Sequence, residues 1–130
     1  MPILGAAERV TGLFAERLGD AKVRLRALRA LITETAEEIE HIVVSGERVR
    51  RSTRANARMA AAYTVHECRL LIADLMEASG ASAHFLTNPL QRAKRDVDIA
   101  AGHVVFDYDI GRELAGALAI GAKISPIAMI

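Results

Sequence analysis

The chain has 130 residues, a net charge of +1, one cysteine and no tryptophan, and its length suits one domain over residues 1–130 with a single hydrophobic core. Hydrophobic residues make up 52% and charged residues 25%, a balance that excludes an intrinsically disordered chain. The small net charge excludes a general attraction to nucleic acid or to an anionic membrane, and the lone Cys68 excludes an internal disulfide.

The N-terminal segment MPILGAAERV has too short an apolar run, and no basic region before it, to predict a signal peptide or a membrane anchor. No segment approaches the ~20 apolar residues of a membrane-spanning helix. A single cysteine also fits a reducing compartment. We therefore expect a cytoplasmic protein that does not contact a membrane.

The first predicted element is a long helix over about residues 6–44, rich in the strong helix formers alanine, leucine and arginine. Apolar positions step by alternating threes and fours, which is typical of a heptad seam on one helix. Gly19 and Asp20 interrupt this segment, and Asp20 is an alternative cap for a separate helix, but the seam keeps its phase across the pair and favours one helix. The seam consists of Phe14, Leu18, Ala21, Leu25, Leu28, Ile32, Thr35, Ile39 and Ile42.

A second long helix is predicted over about residues 52–79, between the helix-ending glycines Gly46 and Gly80. It begins at Ser52 or a near neighbour. Its apolar residues spread around much of its circumference. Such a helix must be covered on more than one side, by the rest of a bundle or by another subunit.

Two shorter helices are predicted over about residues 89–106 and 110–120. Asn88 caps the first and proline follows it at the first helical position, while Asp107 or Asp109 caps the second. The apolar tail 122–130 is expected to pack on its own bundle or on a neighbouring protomer. The whole pattern predicts an all-α, up-down bundle of four to five helices.

Four histidines are candidates for acid-base chemistry because the ordinary pKa of histidine lies near neutrality: His41, His66, His84 and His103. No two of them have the four-residue spacing that brings imidazoles together on one helix. Glu38 and His41 form a single ExxH pair, which falls short of the two that a di-metal bundle needs. We therefore expect no metal site.

Three of the histidines allow both an ordinary and a functional interpretation. His66, one turn after Tyr63, is either a core or interface residue or part of a pocket. His84 lies in the loop after the second helix, where function and simple solvation are equally consistent with its position. His103 is predicted on the third helix beside the small residues 100–102, which leave room for a ligand or for a close helix crossing.

An arginine run near the start of the second helix follows a glutamate run near the end of the first. Cross-helix ion pairing or solvation explains these charges better than nucleic-acid binding, for which stacking aromatic residues are missing. Cys68 is expected to be helical and buried, which gives little support to nucleophilic catalysis. The arginines are Arg48, Arg50, Arg51, Arg54 and Arg58, and the glutamates are Glu34, Glu37, Glu38 and Glu40.

The segment EASGASAHFLTNPLQRAKRDVDIAAGH resembles the C-terminal helical domain of the acyl-CoA dehydrogenase superfamily, and most of all its flavin-dependent monooxygenase branch. That branch contains the oxygenase components of two-component systems acting on phenols, aryl sulfur compounds and amino sugars. The resemblance covers roughly residues 6–121. The residues that carry the resemblance are Gly80-Ala81-Ser82, Pro89-Leu90-Gln91-Arg92, Arg95-Asp96-Val97 and His103.

The resemblance implies a bundle that assembles into dimers or tetramers and acts with FMN or FAD on a small organic substrate. It also implies that the loop reaching Ser82 and the region of Arg92 approach a flavin bound by a neighbouring subunit. The histidine matched by His103 faces the isoalloxazine and helps to form or protonate the hydroperoxyflavin. His66, Tyr63 and His84 are further candidates for binding substrate or cofactor.

Two features depart from the family pattern. Relatives often carry a histidine at the position of Asp98. A carboxylate there either changes which groups can give or take a proton, or orients another group. The family's flavin cradle is built mainly from an N-terminal helical domain and a middle β-domain, and this chain contains neither.

Three interpretations remain open at the level of sequence. The chain completes a flavin site with another polypeptide, or it is a non-catalytic oligomerisation module. Alternatively, it is a flavin-independent bundle in which His103, Asp98, His66 and Tyr63 catalyse acid-base isomerisation or cyclisation of a biosynthetic intermediate in an apolar cavity. The Met-Pro start and the family-like end favour a complete small reading frame over an accidental fragment.

Overall fold

The computed structural model describes residues 2–81, 85–125 and 128, with side chains from residue 14 onward. Within these ranges the chain is helical and contains no strand, which confirms the all-α prediction. None of the described helices is long and apolar enough to cross a bilayer. The elements are α1 (Pro2–Val44), α2 (Arg51–Ser79), α3 (Pro89–Ala101), a 3-10 turn (Val104–Phe106) and α4 (Tyr108–Ala119).

Helix α2 is the centre of the bundle. It packs against α1, α3, α4 and the 104–106 turn, whereas α1 packs to a comparable extent only against α2 within the described ranges. The buried face of α2 is rich in alanine, including Ala55, Ala60 and Ala62. Small side chains let neighbouring helix axes approach closely. The wide apolar surface predicted for α2 is therefore covered by several helices of the same chain.

Helix α1 is continuous through Gly19 and Asp20, as the phase of the seam predicted. Only part of that seam is covered, however. Ala21 and Leu28 are 4% and 6% exposed. The alternating positions Leu18, Leu25 and Ile32 are 43%, 45% and 37% exposed. The seam therefore has a buried pair at residues 21 and 28 and an exposed row at residues 18, 25 and 32. Residue 14 is also exposed, and residues 35, 39 and 42 are half-buried.

Ion pairs join α1 to the second half of α2. Arg24 of α1 contacts the carboxylates of Glu67 and Asp74 at 3.0 and 3.3 Å, and Arg17 contacts Glu77 at 3.1 Å. Partial burial opposes the charge of Arg24, but its hydrogen bond to Glu67 and the surrounding carboxylates raise its pKa overall. Each exposed pair contributes at most about 1 kcal/mol, so these contacts fix alignment more than stability.

The cross-helix pairs differ from the sequence expectation. In the part of the chain that the structure describes, none of the ion pairs links the arginine run at the start of α2 to the glutamate run of α1. Solvation, the second half of that expectation, accounts for the exposed Arg48, Arg50 and Arg54. Arg58 departs from both alternatives because it is buried.

Helix α3 begins where the sequence predicted and ends earlier. The side chain of Asn88 accepts a hydrogen bond from the Leu90 amide at 2.9 Å, and Pro89 occupies the first helical position. The helix ends at Ala101 instead of continuing to about residue 106. His103 has an extended backbone, and its ring accepts a hydrogen bond from the Val105 amide, so it caps a new turn. The prediction that His103 lies on the third helix is therefore wrong.

Helix α4 is capped by Asp107, the first of the two predicted candidates. Its Oδ1 atom accepts from the Ile110 amide at 3.0 Å, while Asp109 lies in the first turn. Gly121 ends the helix in the left-handed conformation, at φ 71°. The following segment turns back to its own bundle, because Arg51 of α2 donates a hydrogen bond to the Ser125 carbonyl. Residues 126–127 and 129–130 of the predicted tail lie outside the described residues.

The α2–α4 crossing depends on Gly111, which is buried against α2. A Cβ atom at this position would lie 3.4 Å from the Cβ of Ala62 and 3.5 Å from the Sδ of Met59, which are ordinary contact distances. One methyl group therefore fits at this crossing, and a larger side chain does not. At Gly116 of the same helix, an added Cβ would have no neighbour within 4 Å.

We predict that Gly111→Ala stabilises the domain by up to about 1 kcal/mol, because alanine restricts the unfolded chain and favours the helix. Gly111→Leu should cost about 1–3 kcal/mol by overpacking the crossing. Gly116→Ala is the matched control, since it changes helix propensity without adding a contact. Urea unfolding followed by circular dichroism measures all three. Destabilisation by Gly111→Ala, alongside a gain from Gly116→Ala, would show that the crossing is tighter than described.

Candidate functional site

A cleft of about 280 Å³ lies where α2 meets the end of α3 and the start of α4. The early end of α3 and the 104–106 turn create it, because they carry the chain away from α2 before α4 begins. Titratable and aromatic side chains line the cleft together with small apolar ones. Its residues are Val65, His66, Arg69, Ala101, Phe106, Asp107, Tyr108 and Asp109.

Tyr108 organises the aromatic side of this cleft. The rings of His66 and Tyr108 stack nearly parallel, with centroids 4.1 Å apart and 7° between their planes. Tyr63 lies tilted to Tyr108 at 6.4 Å, and the Arg112 guanidinium carbon is 5.3 Å from its ring centre. The structure therefore brings His66 and Tyr63 to the same ring. His66 is half-buried in this stack and also lines the cleft.

Sequence reasoning missed Tyr108. The available signal was its position directly after the helix cap Asp107, which fixes where its side chain enters the bundle. Arg69 was also missed, although it follows His66 by three residues and therefore shares its helical face. A face of α2 that carries Tyr63, His66 and Arg69 in succession is a detectable pattern.

Asp98 is held in two ion pairs. It accepts a hydrogen bond from Lys94 one turn earlier, and Arg69 Nε contacts its other oxygen at 3.1 Å. The hydrogen bond from Lys94 is the largest influence on the pKa of Asp98 and lowers it. Burial opposes this effect, but the hydrogen bond from Arg69 and the two positive charges keep the pKa below its ordinary value. A carboxylate neutralised in this way is a poor proton donor at neutral pH and a weak base. Of the two roles considered for this position, orienting another group fits, and that group is Arg69.

His103 is exposed at the start of the 104–106 turn. Its Nδ1 atom accepts a hydrogen bond from the Val105 amide at 3.2 Å. A neutral ring that accepts at Nδ1 carries its proton on Nε2. His103 is not among the residues that line the cleft, but its ring lies 6.1 Å from that of Phe106, which does line it.

The other predicted binding residues are separated from this cleft or lie outside the description. Arg92 is on the exposed face of α3 and forms a loose pair with Asp96 at 3.8 Å. Ser82 and His84 lie outside the described residues. Within the described ranges, no group of three or more histidine, cysteine, aspartate or glutamate side chains is placed to hold a metal ion.

A second, more open groove of about 530 Å³ runs along α3 and shares Asp98 with the ion pairs described above; it is lined by Met76, Gln91, Lys94, Arg95, Asp98 and Ile99. Cys68, the only cysteine in the sequence, is not among the residues that line either depression. Cys68 is half-buried, and burial, followed by the charge of Glu67, raises the pKa of its thiol. A raised pKa lowers the thiolate fraction, which agrees with the expectation that Cys68 is not a nucleophile.

Comparison with known proteins supports the all-α fold and the resemblance to the acyl-CoA dehydrogenase superfamily. The family model for the acyl-CoA dehydrogenase C-terminal domain matches residues 5–108. The 3-HSA hydroxylase from Rhodococcus sp. RHA1 superposes with a TM-score of 0.82 at 23% identity, over 98% of this chain and 34% of that one. XiaF from Streptomyces sp., in complex with FADH2 and glycerol, gives 0.81 at 25% identity, over 89% and 29%.

A third solved structure, the HsaA monooxygenase from M. tuberculosis, gives a TM-score of 0.77 at 22% identity, over 95% of this chain and 34% of that one. No curated protein matches the sequence. The chain therefore spans about a third of the length of the solved proteins that it resembles.

We predict that Asp98→Asn destabilises the domain at pH 7 by less than about 1 kcal/mol, because solvent screens ion pairs that are this exposed. The folded pKa of Asp98 lies below its ordinary value of 3.8, so its stabilising effect is complete above that value. It is lost as the pH falls through the lowered folded pKa.

The difference between Asp98→Asn and the unchanged chain should therefore disappear in strong acid. Asp96→Asn, at a more exposed and looser pair, should change little at any pH. Urea unfolding at a series of pH values measures both. A difference that persists at the acid end would mean that Asp98 acts by packing and not by charge.

Proposed function

Because this chain belongs to the family of acyl-CoA dehydrogenase C-terminal domains, we propose that it forms one wall of a flavin-dependent monooxygenase site for a small organic substrate. Among the similar structures, one is a hydroxylase, one is a monooxygenase and one is in complex with FADH2. The cofactor is FMN or FAD, and another polypeptide supplies the remaining walls. The single cysteine is consistent with a protein that acts in the reducing cytoplasm.

The described residues fit one wall of such a site. His103 is exposed, with its proton held on Nε2 by the Val105 contact, so it can donate a hydrogen bond to a group placed against it. Arg92 is exposed and only loosely paired, so its guanidinium can meet a phosphate or a ring oxygen. A bound reduced flavin supplies the activation of dioxygen for transfer of one oxygen atom to the substrate. The chain's own part is to orient the cofactor and to hold a proton at His103 Nε2.

The observation that carries the proposal is the state of His103. His103 is exposed, and its Nδ1 accepts a hydrogen bond from the Val105 amide at 3.2 Å, which fixes the direction of its ring. The same residue ends the segment whose words resemble the flavin-dependent branch. A residue whose site is completed by a second polypeptide must be exposed and held in a fixed orientation.

The flavin-independent alternative has less support. It needs His103, Asp98, His66 and Tyr63 in one apolar cavity. In the described part of the chain His66 and His103 do not line the same cleft, and the Asp98 carboxylate is neutralised by Lys94 and Arg69. The cleft at His66 is also open and rich in charged groups, which does not favour isolation of a reactive intermediate from water.

We predict that the chain, in the complex in which it occurs, shifts the visible absorption of added FMN or FAD in a saturable way, and that the chain alone does not. His103→Ala should leave this shift in place, because it removes one hydrogen-bond donor and no binding wall. It should slow oxygen consumption by the reduced complex roughly 10²–10³-fold, the usual cost of losing such a donor.

His41→Ala is the control for this experiment, since His41 is exposed at the far end of α1. It should match the unchanged complex in both measurements. A complex whose addition leaves the flavin spectrum unaltered would overturn the flavin proposal. Equal rates for His103→Ala and His41→Ala would remove His103 from the site.

We also propose that the exposed row of the α1 seam joins a second copy of this chain, in a dimer or tetramer. The chain exposes 9329 Å², whereas a compact monomer of its mass exposes about 6,700 Å². Helix α1 contributes to this difference because it is roughly 65 Å long against about 44 Å for α2. The excess is more than the about 800 Å² that one partner contributes to a standard interface.

The composition of the exposed row supports a second copy as the occupant. Leu18, Leu25 and Ile32 recur every seven residues, and this period lets two identical helices pack side by side through the same positions. The ion pairs to α2 lie on the buried side of α1 and leave this row unobstructed.

We predict that the chain sediments as a dimer or tetramer, and that Leu25→Glu with Ile32→Glu reduces it to monomers with unchanged helical content. A buried carboxylate without a partner opposes association strongly. Val23→Glu is the control, because Val23 is 69% exposed and lies off the seam. A wild-type monomer, or dissociation by Val23→Glu to the same extent, would contradict assembly through this row.

A further inference from the structure

We infer that Arg58 is a positioning residue for His103. The inference rests on the proposed role of His103 and concerns how the fold sets the direction of its ring. Arg58 belongs to the arginine run that the sequence analysis assigned to ion pairing or solvation. Neither describes it, because Arg58 is only 9% exposed, on the face of α2 that packs in the bundle.

Arg58 reaches the turn that follows His103. Its Nη2 atom donates a hydrogen bond to the Val104 carbonyl oxygen at 2.9 Å. A hydrogen bond from a charged donor is stronger than one between neutral groups, and a buried guanidinium that loses its acceptor is costly. The bond is therefore a firm attachment between the central helix and the 104–106 turn.

The same peptide unit connects Arg58 to His103. The carbonyl of Val104 and the amide of Val105 belong to one peptide bond, which is planar. Arg58 holds the oxygen of this plane, and His103 Nδ1 accepts from its N–H at 3.2 Å. Rotating the plane would break both bonds at once. Arg58 therefore helps to fix the direction of the N–H group from which His103 Nδ1 accepts, and this contact favours the tautomer with its proton on Nε2.

Two further hydrogen bonds tie the turn to itself. The Phe106 amide donates to the His103 carbonyl at 2.8 Å, and the Asp107 amide donates to the Val104 carbonyl at 3.2 Å. The Val104 oxygen thus receives one bond from the turn and one from α2. The turn's own bonds and the bond from Arg58 act on the same peptide plane, and the bond from Arg58 also joins that plane to α2.

The test measures the imidazole of His103 directly, so it does not depend on flavin. Long-range nitrogen-proton NMR spectra distinguish the two neutral tautomers by their ring nitrogen shifts. The chain should show His103 with its proton on Nε2. Arg58→Met, which keeps much of the side-chain volume and removes the donor, should give a mixture of both tautomers. Arg54→Met, one turn earlier and exposed, should leave the His103 signals unchanged.

Arg58→Gln is the second variant, used if Arg58→Met does not fold. It removes the buried charge but is too short to replace the bond, so it should also give a mixture of tautomers. A folded Arg58 variant of either kind with an unaltered His103 spectrum would overturn the inference.

The same variants in the flavin complex provide the functional readout. Arg58→Met should lower kcat about tenfold or more with little change in KM, since misorientation affects the reacting geometry more than binding. Loss of the tautomer preference without any flavin binding by the complex would support the role of Arg58 and overturn the proposed function. If the Arg58 variants keep the His103 tautomer preference while the complex binds flavin, the result would overturn the role of Arg58 and support the proposed function.

Discussion

Burial of helix α2 is the constraint on which the rest of this domain depends. Every other described element packs against it, and the alanines on its buried face, with Gly111 opposite them on α4, let the helices approach closely. Close approach leaves little room for side-chain adjustment at the crossings. The bonds that leave α2 for other elements, from Arg58 and Arg69, therefore start from a rigid base.

That rigid base has a functional consequence at the end of α3. The helix stops at Ala101, His103 caps a new turn, and a buried arginine adds a hydrogen bond from α2 to the backbone bonds of that turn. The result is an exposed imidazole whose ring contacts a peptide group that Arg58 of α2 also binds.

The surface of the domain exposes apolar side chains on α1 and α3. Four of the nine seam positions of α1 are exposed, and no residue of α3 is buried in spite of its amphipathic pattern. An amphipathic helix on a core directs its apolar stripe toward that core. The matched solved proteins are about three times as long as this chain.

The sequence by itself determined the helices, their order and most of their ends, because seam periodicity, Asn88, Asp107 and Gly121 act locally. It also determined the family, the acyl-CoA dehydrogenase C-terminal domains, through short motifs that lie within one segment. Only the tertiary structure decided that α3 ends early, that Asp98 is neutralised by Arg69, and that Tyr108 stacks on His66. The burial of Arg58 likewise could not be read from a run of five similar arginines. Each of these depends on contacts between residues far apart in the chain, and helical periodicity reports which residues share a face without reporting what that face meets.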